Sequence, residues 1–185
     1  MIVFIETDTS GASPYPELSA EGFTLPRGTY AMGGPPMRSL LPENFTLSVE
    51  DGSSRASGLT DFMRGVGWLV VSEKLKHIFE RYGADIEFIS IGLRYRGETW
   101  GGYFIANPRN RVHGVDLAAS SIELDDVGVA LGVERLVLDE SKFAGVPVAV
   151  LHETTHIALQ SEVAEAIRAA GCTGCVFVPP SSVSI

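Results

Sequence analysis

The first 58 residues combine two predicted strands with segments rich in turn-forming residues. The apolar start "MIVFIETDTSG" predicts a first strand, and "NFTLSVE" (Asn44–Glu50) follows the two-residue alternation of another. Residues 10–42 are dense in Pro and Gly, which predicts a surface arm built of turns and not a core segment. Residues 51–58, "DGSSRASG", predict a flexible loop.

A helix is predicted directly after the apolar run "WLVV". Ser72 is a favourable N-cap, and Gly83 stands where a left-handed C-terminal cap is favoured. Between them, apolar residues recur at the spacing of one helical face: Leu75, Ile78, Phe79 and Tyr82. The pattern therefore predicts an amphipathic helix, and "IEFISIGLRY" after it returns to the two-residue period of a strand.

The organisation of this segment is repeated near the C-terminus. "HIALQSEVAEAIRAAGCTGCVFVPP" and "WLVVSEKLKHIFERYGADIEFISI" both read strand, Ser-Glu, helix, Gly, strand. In the second copy we expect Ser161 to be the N-cap and Gly171 to end the helix, with a buried stripe of Val163, Ala166, Ile167 and Ala170. By the same alignment "HIALQ" corresponds to "WLVVS" and is predicted to be extended.

Three more strands are predicted by short apolar or alternating runs, at Gly102–Pro108, Arg135–Glu140 and Val146–His152. The acidic segment Glu123–Asp126 is predicted to be a turn. Together these elements predict an α+β fold, mostly antiparallel sheet with two principal helices, in which a strand-helix-strand unit is repeated.

Length and composition indicate one soluble globular domain. A chain of 185 residues has the usual size of a single domain, so we expect one domain over residues 1–185, with an arm and loop in 1–58 and the core in 59–185. No apolar run approaches the roughly 18 residues of a membrane helix, and no basic region precedes the apolar start. These features predict a cytoplasmic protein that does not span a membrane.

The charge balance predicts the kind of partner. With 14 basic and 23 acidic residues the net charge is 14 − 23 = −9, which disfavours nucleic acid and favours a basic partner. The sequence leaves the oligomeric state open.

The segment "LHETTHIALQ" contains the H-E-x-x-H spacing of zinc peptidases at His152 and His156. That chemistry needs a helix, whereas the repeat predicts an extended segment, in which residues four apart lie about 13 Å from each other. A third ligand of the usual kind is also missing, since no His follows His156 and nothing acidic follows Glu165. The alternative that stays open is a zinc-dependent hydrolase, or a domain stabilised by zinc on His152, His156, Cys172 and Cys175.

The two cysteines form a C-x-x-C that leads into a predicted strand. A redox motif would instead precede a helix, so we expect Cys172 and Cys175 to pack as small apolar residues. No nucleophile elbow, phosphate-binding loop or dinucleotide fingerprint accompanies them. The sequence therefore predicts no enzyme and no cofactor.

The order of four segments resembles a known family. These are "DFMRGVGWLVVSEKLKHIFE", "GYFIANPRNRVHGVDLAAS", "ERLVLDESKF" and "HIALQSEVAEAIRAAGCTGCVFV", spanning Asp61 to Val178. They carry the Ser-Glu helix starts, Val-Asp-Leu-x-x-Ser at 115–120, Leu-Val-Leu-Asp-Glu and the Gly-x-x-Gly that ends at Gly174. The succession is similar to the type-eleven immunity proteins of bacterial polymorphic toxin systems.

Members of that family usually have apolar residues at the two cysteine positions and lack H-E-x-x-H, so the resemblance gives neither motif a role. It implies no catalytic residue. It implies a protein that binds a cognate toxin in the producing cell and occludes or distorts its active site.

The densest acidic region is the predicted toxin-binding site, and it comprises Asp125, Asp126, Glu134, Asp139 and Glu140. A basic toxin would suit these carboxylates and the net charge. Trp100 and Tyr103 are candidates for an aromatic anchor, but their large apolar rings favour buried core positions.

Overall fold

The computed structural model describes residues 1–8, 17–20, 23, 34–50, 59–65 and 67–183. The predicted loop at residues 51–58 lies outside the described residues.

The described residues form strands, two α-helices and short 3-10 helices. The α-helices are α1 (Glu73–Arg81) and α2 (Ser161–Ala169). The strands are β1 (Ile2–Thr7), β2 (Glu17–Ser19), β3 (Thr46–Glu50), β4 (Phe62–Gly65), β5 (Trp68–Ser72), β6 (Ile86–Tyr95), β7 (Glu98–Pro108), β8 (Arg111–Val112), β9 (Ser121–Leu124), β10 (Ala130–Arg135), β11 (Val148–Leu151), β12 (Ile157–Gln160) and β13 (Cys175–Val178).

The strands assemble into two large sheets and one separate hairpin. One sheet has the order β13-β1-β12-β11-β8, the other has the order β2-β3-β6-β7-β5-β4, and β9 pairs with β10 alone among the described strands. Two pairs are parallel, β11 with β8 and β3 with β6, and the other pairs are antiparallel. The predicted α+β fold, mainly antiparallel sheet with two helices, is confirmed.

The repeated unit has the same topology in both copies. In the first copy, β5 and β6 both pair antiparallel with β7, so they run parallel to each other with β7 between them. In the second copy, β12 and β13 both pair antiparallel with β1. Each unit is therefore a strand-helix-strand crossover split by one antiparallel strand. That central strand follows the first unit in the chain but precedes the second by most of the chain's length.

The two helices begin differently. The Ser72 hydroxyl accepts a hydrogen bond from the backbone N–H of Leu75 and donates one to Asp61 Oδ1 at 2.6 Å, so the predicted N-cap of α1 is confirmed. The N-cap of α2 is Gln160, without a side-chain capping bond, so the prediction that Ser161 caps α2 is wrong by one residue. Among the described residues, neither helix is long and apolar enough to cross a membrane.

Glycines end both helices as predicted, with φ of +68° at Gly83 and +61° at Gly171. In this left-handed region a side chain would be strained, so glycine stops each helix at low cost.

Three apolar clusters hold the layers together. The central cluster lies between the helices and the two sheets and contains Leu75 and Phe79 of α1, Val163 and Ile167 of α2, and strand residues such as Ile5. Of the other two clusters, one is formed mainly by residues of the six-stranded sheet and the other mainly by residues of the five-stranded sheet. Burial of these side chains is the main stabilising contribution to the fold.

The described part of residues 1–58 contributes to these clusters. Ile5, Met37 and Leu47 are fully buried, and β1 lies inside its sheet with a partner on each side. The prediction that residues 10–42 form an arm outside the core is therefore wrong at Leu18 and Met37, which pack into the cluster of the six-stranded sheet. The division into one domain over residues 1–185 stays a prediction.

The strand predicted at Arg135–Glu140 is wrong. β10 ends at Arg135, and Leu138 makes only an isolated antiparallel bridge to Val115. The chain then turns into a 3-10 helix, Glu140–Phe143, which Asp139 caps. The strands predicted around residues 86–95, 102–108 and 146–152 are confirmed as β6, β7 and β11.

Candidate functional site

The structure divides the predicted acidic site into two parts. Asp125, Asp126 and Glu134 lie on the β9–β10 hairpin, at its turn and on its second strand. Asp139 instead accepts hydrogen bonds from the backbone and hydroxyl of Ser141. Glu140 lies 3.2 Å from the N-terminal amino group. Asp139 and Glu140 therefore lie at the start of the 3-10 helix that follows the hairpin, and the hairpin itself carries the other three acidic residues.

Asp125 builds the turn of this hairpin. Its carboxylate accepts hydrogen bonds from the backbone N–H groups of Val127 at 2.9 Å and Val129 at 2.8 Å. Its own N–H donates to the carbonyl of Val129, also at 2.8 Å. Asp126, in contrast, is exposed. Of the two neighbouring carboxylates, Asp125 thus has a structural role, and Asp126 is oriented toward solvent.

The hairpin is fixed to the body of the protein through the turn between β11 and β12. The backbone N–H of Ala130 donates to the carbonyl of Glu153 at 2.6 Å, and His152 Nε2 lies 3.3 Å from the carbonyl oxygen of Val127. On the inner face, Ile122 and Val133 pack into the apolar cluster of the five-stranded sheet. The hairpin therefore presents one face to the core and the other to solvent.

Two irregularities shape the outer face. The register between β9 and β10 shifts between Ala130 and Gly132 and again between Val133 and Arg135. Leu131 and Glu134 thus lie at bulges, opposite no residue of β9, and both are exposed. A shallow groove of about 430 Å³ is lined there by Glu123 and Glu134 among others.

The sequence prediction missed Glu123, Val127 and Leu131 as members of this surface. The available signal was the alternation of "SIEL" and "ALGVER" on either side of the turn residues "DDVG", a pattern typical of a hairpin.

The two aromatic candidates lie on β7. The expectation that both are core residues is wrong for Trp100, whose exposed fraction is 48%. Tyr103 is half-buried beside the cluster of the six-stranded sheet, and burial raises the pKa of its hydroxyl. Trp100 is thus an exposed apolar residue on a different hairpin from the acidic one.

The H-E-x-x-H segment is not a helix. Residues 152–155 form the turn between β11 and β12, in which the N–H of Thr155 donates to the carbonyl of Leu151. The prediction that "HIALQ" is extended is confirmed for β12, but the extended geometry assumed for residues 152–156 is wrong, since Thr155 has a φ of +60°.

The two histidines of the motif face different neighbours. The ring of His152 lies 4.0 Å, centroid to centroid, from that of His113. His156 stacks on Phe4 at 4.9 Å, and its Nδ1 lies 2.7 Å from the hydroxyl of Thr154. Within the described parts of the chain, no group of three His, Cys, Asp or Glu residues is arranged to hold a metal ion. The geometry gives the zinc alternative no support.

His156 belongs instead to a half-buried polar cluster between the sheets. Its Nε2 lies 3.5 Å from Glu6 Oε1, and Arg64 Nη1 lies 3.7 Å from Glu6 Oε2. Burial, with the positive charge of Arg64 nearby, lowers the pKa of His156 to about 4. Burial also raises the pKa of Glu6, although Arg64 acts in the opposite direction. The imidazole is therefore neutral at pH 7.

The cysteines flank the turn before β13, as predicted. Both are free and partly buried, and burial raises the pKa of Cys172 and raises that of Cys175 to about 12. The turn is held by Asp61, whose Oδ2 accepts from the N–H of Thr173 at 2.8 Å. Neither thiol has the lowered pKa that makes a cysteine nucleophilic.

Comparison with known proteins assigns the family. No curated protein shows significant similarity to the sequence. The model of the immunity protein family (Imm11) matches residues 3–181, nearly the whole chain and both copies of the strand-helix-strand unit. On that match, the chain belongs to the immunity protein family Imm11.

Proposed function

We propose that this protein binds a cognate toxin of a bacterial polymorphic toxin system in the cytoplasm of the producing cell and neutralises it without catalysis. The observation that carries the proposal is the family match over residues 3–181.

The charge of the protein supports a basic toxin as the partner. The net charge is −9, and Glu123, Asp126 and Glu134 are exposed on one hairpin. Exposed carboxylates accelerate encounter with a cationic surface by long-range attraction, which salt screens over about 8 Å at physiological ionic strength. We expect the association rate with the toxin to fall as salt rises, and the dissociation rate to change less.

Co-expression tests the proposal directly. The cognate toxin is to be sought in the genes neighbouring the one for this protein; its toxin domain should arrest growth when expressed alone in the cytoplasm, and this protein should restore growth. A toxin domain from an unrelated system serves as the control, which this protein should not neutralise. Growth arrest that persists at high levels of folded protein would refute the proposed function.

Binding kinetics test the charge argument separately. The purified toxin domain would be immobilised, and association and dissociation measured across a salt series. An association rate indifferent to salt would show that the acidic charge serves solubility and not recognition.

A further inference from the structure

The β9–β10 hairpin carries exposed apolar side chains beside its acidic ones. Val127 at the turn is 70% exposed and Leu131 on β10 is 62% exposed. Leu117, in the turn that leads into β9, is also exposed. Single exposed apolar residues are common on protein surfaces, but here two lie on one small hairpin, four positions apart in the chain.

The backbone of the hairpin supports an outward position for these residues. Leu131 lies at the first bulge, where no residue of β9 opposes it, while its neighbours Ala130 and Val133 pack inward. A regular strand would place residues 131 and 133 on the same face, and the bulge at Leu131 places them on opposite faces. The bulged register thus keeps Val133 in the core and presents Leu131 to solvent.

The turn is also stabilised by hydrogen bonds within the protein itself. Asp125 accepts two backbone hydrogen bonds, and the backbone N–H of Ala130 is bound by the carbonyl of Glu153. A rigid recognition element loses less conformational entropy on binding than a flexible loop does. Val127 and Leu131 are therefore held in place by contacts that do not involve their own side chains.

Exposed carboxylates lie on the same hairpin as this apolar pair. Glu123, Asp126 and Glu134 are exposed on the same hairpin, and Arg135 is its one exposed basic residue in the described structure. Protein interfaces commonly have an apolar centre that becomes desolvated and a polar rim that steers association. The charge of the rim identifies the complementary partner as cationic.

We infer that the outer face of the β9–β10 hairpin is the toxin-docking surface, with Val127 and Leu131 at its centre, and that it fits a basic toxin surface containing an apolar pocket. This inference rests on the proposed function, because it assigns a place to the binding that the function requires.

The apolar centre is tested by truncation. Leu131→Ala and Val127→Ala are each expected to raise the Kd for the cognate toxin domain by about tenfold, mainly through faster dissociation. Leu40→Ala, at an exposed leucine of the 3-10 helix Arg38–Leu40, is the matched control and should leave the Kd unchanged. Thermal melts of each variant would establish that the fold is retained.

The acidic rim is tested by charge reversal, with a control variant that changes the net charge by the same amount. Glu123→Lys with Asp126→Lys should slow association several-fold at low salt, and Glu134 is left unchanged because its carboxylate accepts a hydrogen bond from the Ser121 hydroxyl across the hairpin. Asp85→Lys with Glu165→Lys changes the net charge equally at exposed positions outside the hairpin and should slow association much less. Asp125 is left unchanged because it builds the turn.

The outcomes separate the surface from the function. If the natural protein neutralises the toxin while every hairpin variant binds as tightly as it does, the docking surface lies elsewhere and the proposed function stands. Loss of affinity in Trp100→Ala alone would place the interface on β7. If the natural protein itself neither binds nor protects, the proposed function and this inference both fail.

Discussion

The buried histidine His156 makes a quantitative prediction about the pH dependence of stability. In the folded protein its pKa is about 4, compared with 6.5 for an unperturbed histidine. Between these values the unfolded chain binds a proton at this position that the folded protein does not. The contribution of His156 to the free energy of unfolding is therefore fully present above about pH 7. It declines as the pH falls through 6.5 toward 4.

The magnitude follows from the size of the shift. A difference of about 2.5 pH units corresponds to about 3.5 kcal/mol at most, at about 1.4 kcal/mol for each unit, and the full loss is reached only below pH 4. Glu6 acts in the opposite direction. Its raised pKa means that the folded state binds a proton more readily, so its contribution is present below pH 4.5 and is lost as the pH rises through the folded pKa.

Replacement by a side chain that does not titrate isolates the effect. His156→Gln keeps hydrogen-bonding capacity near Thr154 and Glu6 but removes the titration. Denaturant unfolding at intervals from pH 7.5 to about pH 4.5 should show a much smaller loss of stability for this variant than for the natural protein. His77→Gln, at an exposed histidine of α1, controls for loss of an imidazole as such.

Because His156 and Glu6 are in contact, the same comparison should be made in a Glu6→Gln background. Parallel stability curves for the natural protein and His156→Gln, in both backgrounds, would refute the assignment of a neutral, desolvated histidine.

Three further predictions concern the helices, the cysteines and metal. Ser72→Ala should lower the free energy of unfolding by about 1–2 kcal/mol because it removes a capping bond, whereas Ser161→Ala should cost clearly less; equal losses in denaturant titrations would contradict the different caps. Cys175→Val should lower the melting temperature only modestly and keep full protection in the growth assay, and a folded variant that fails to protect would reveal a role for the thiol. Protein purified without chelator should contain no stoichiometric zinc by elemental analysis, and one zinc per chain would revive the zinc alternative.

The elements that sequence alone predicted well are those whose signals are local. The capping serine, the apolar spacing and the terminal glycine of α1 all lie between Ser72 and Gly83, and the helix forms within those limits. β6 forms over Ile86–Tyr95, the same residues whose alternation predicted it. Contacts within a few residues decide such elements, so the pattern is sufficient.

The wrong predictions depend on contacts between distant residues. "RLVLDE" has the composition of a strand, yet β10 ends at Arg135, and beyond it the described structure has only the isolated bridge of Leu138 to Val115. Trp100 was assigned to the core from its apolar character, but its exposure depends on which strands cover that end of β7. The five acidic residues stay a predicted binding site, but only the structure shows that Asp139 and Glu140 lie at the start of the 3-10 helix that follows the hairpin and not on the hairpin itself.

The sequence by itself determined that two strand-helix-strand units exist, because the strands and the helix of each unit follow one another in a single continuous segment. Only the tertiary structure decided that each unit is completed by a strand from outside it, β7 in one case and β1 in the other. It also decided which side chains of the acidic hairpin pack on the core, such as Val133, and which are exposed in the described part of the chain, such as Asp126 and Leu131. Strand pairing across most of the chain depends on how apolar faces pack against each other in three dimensions, and a linear pattern does not contain that information.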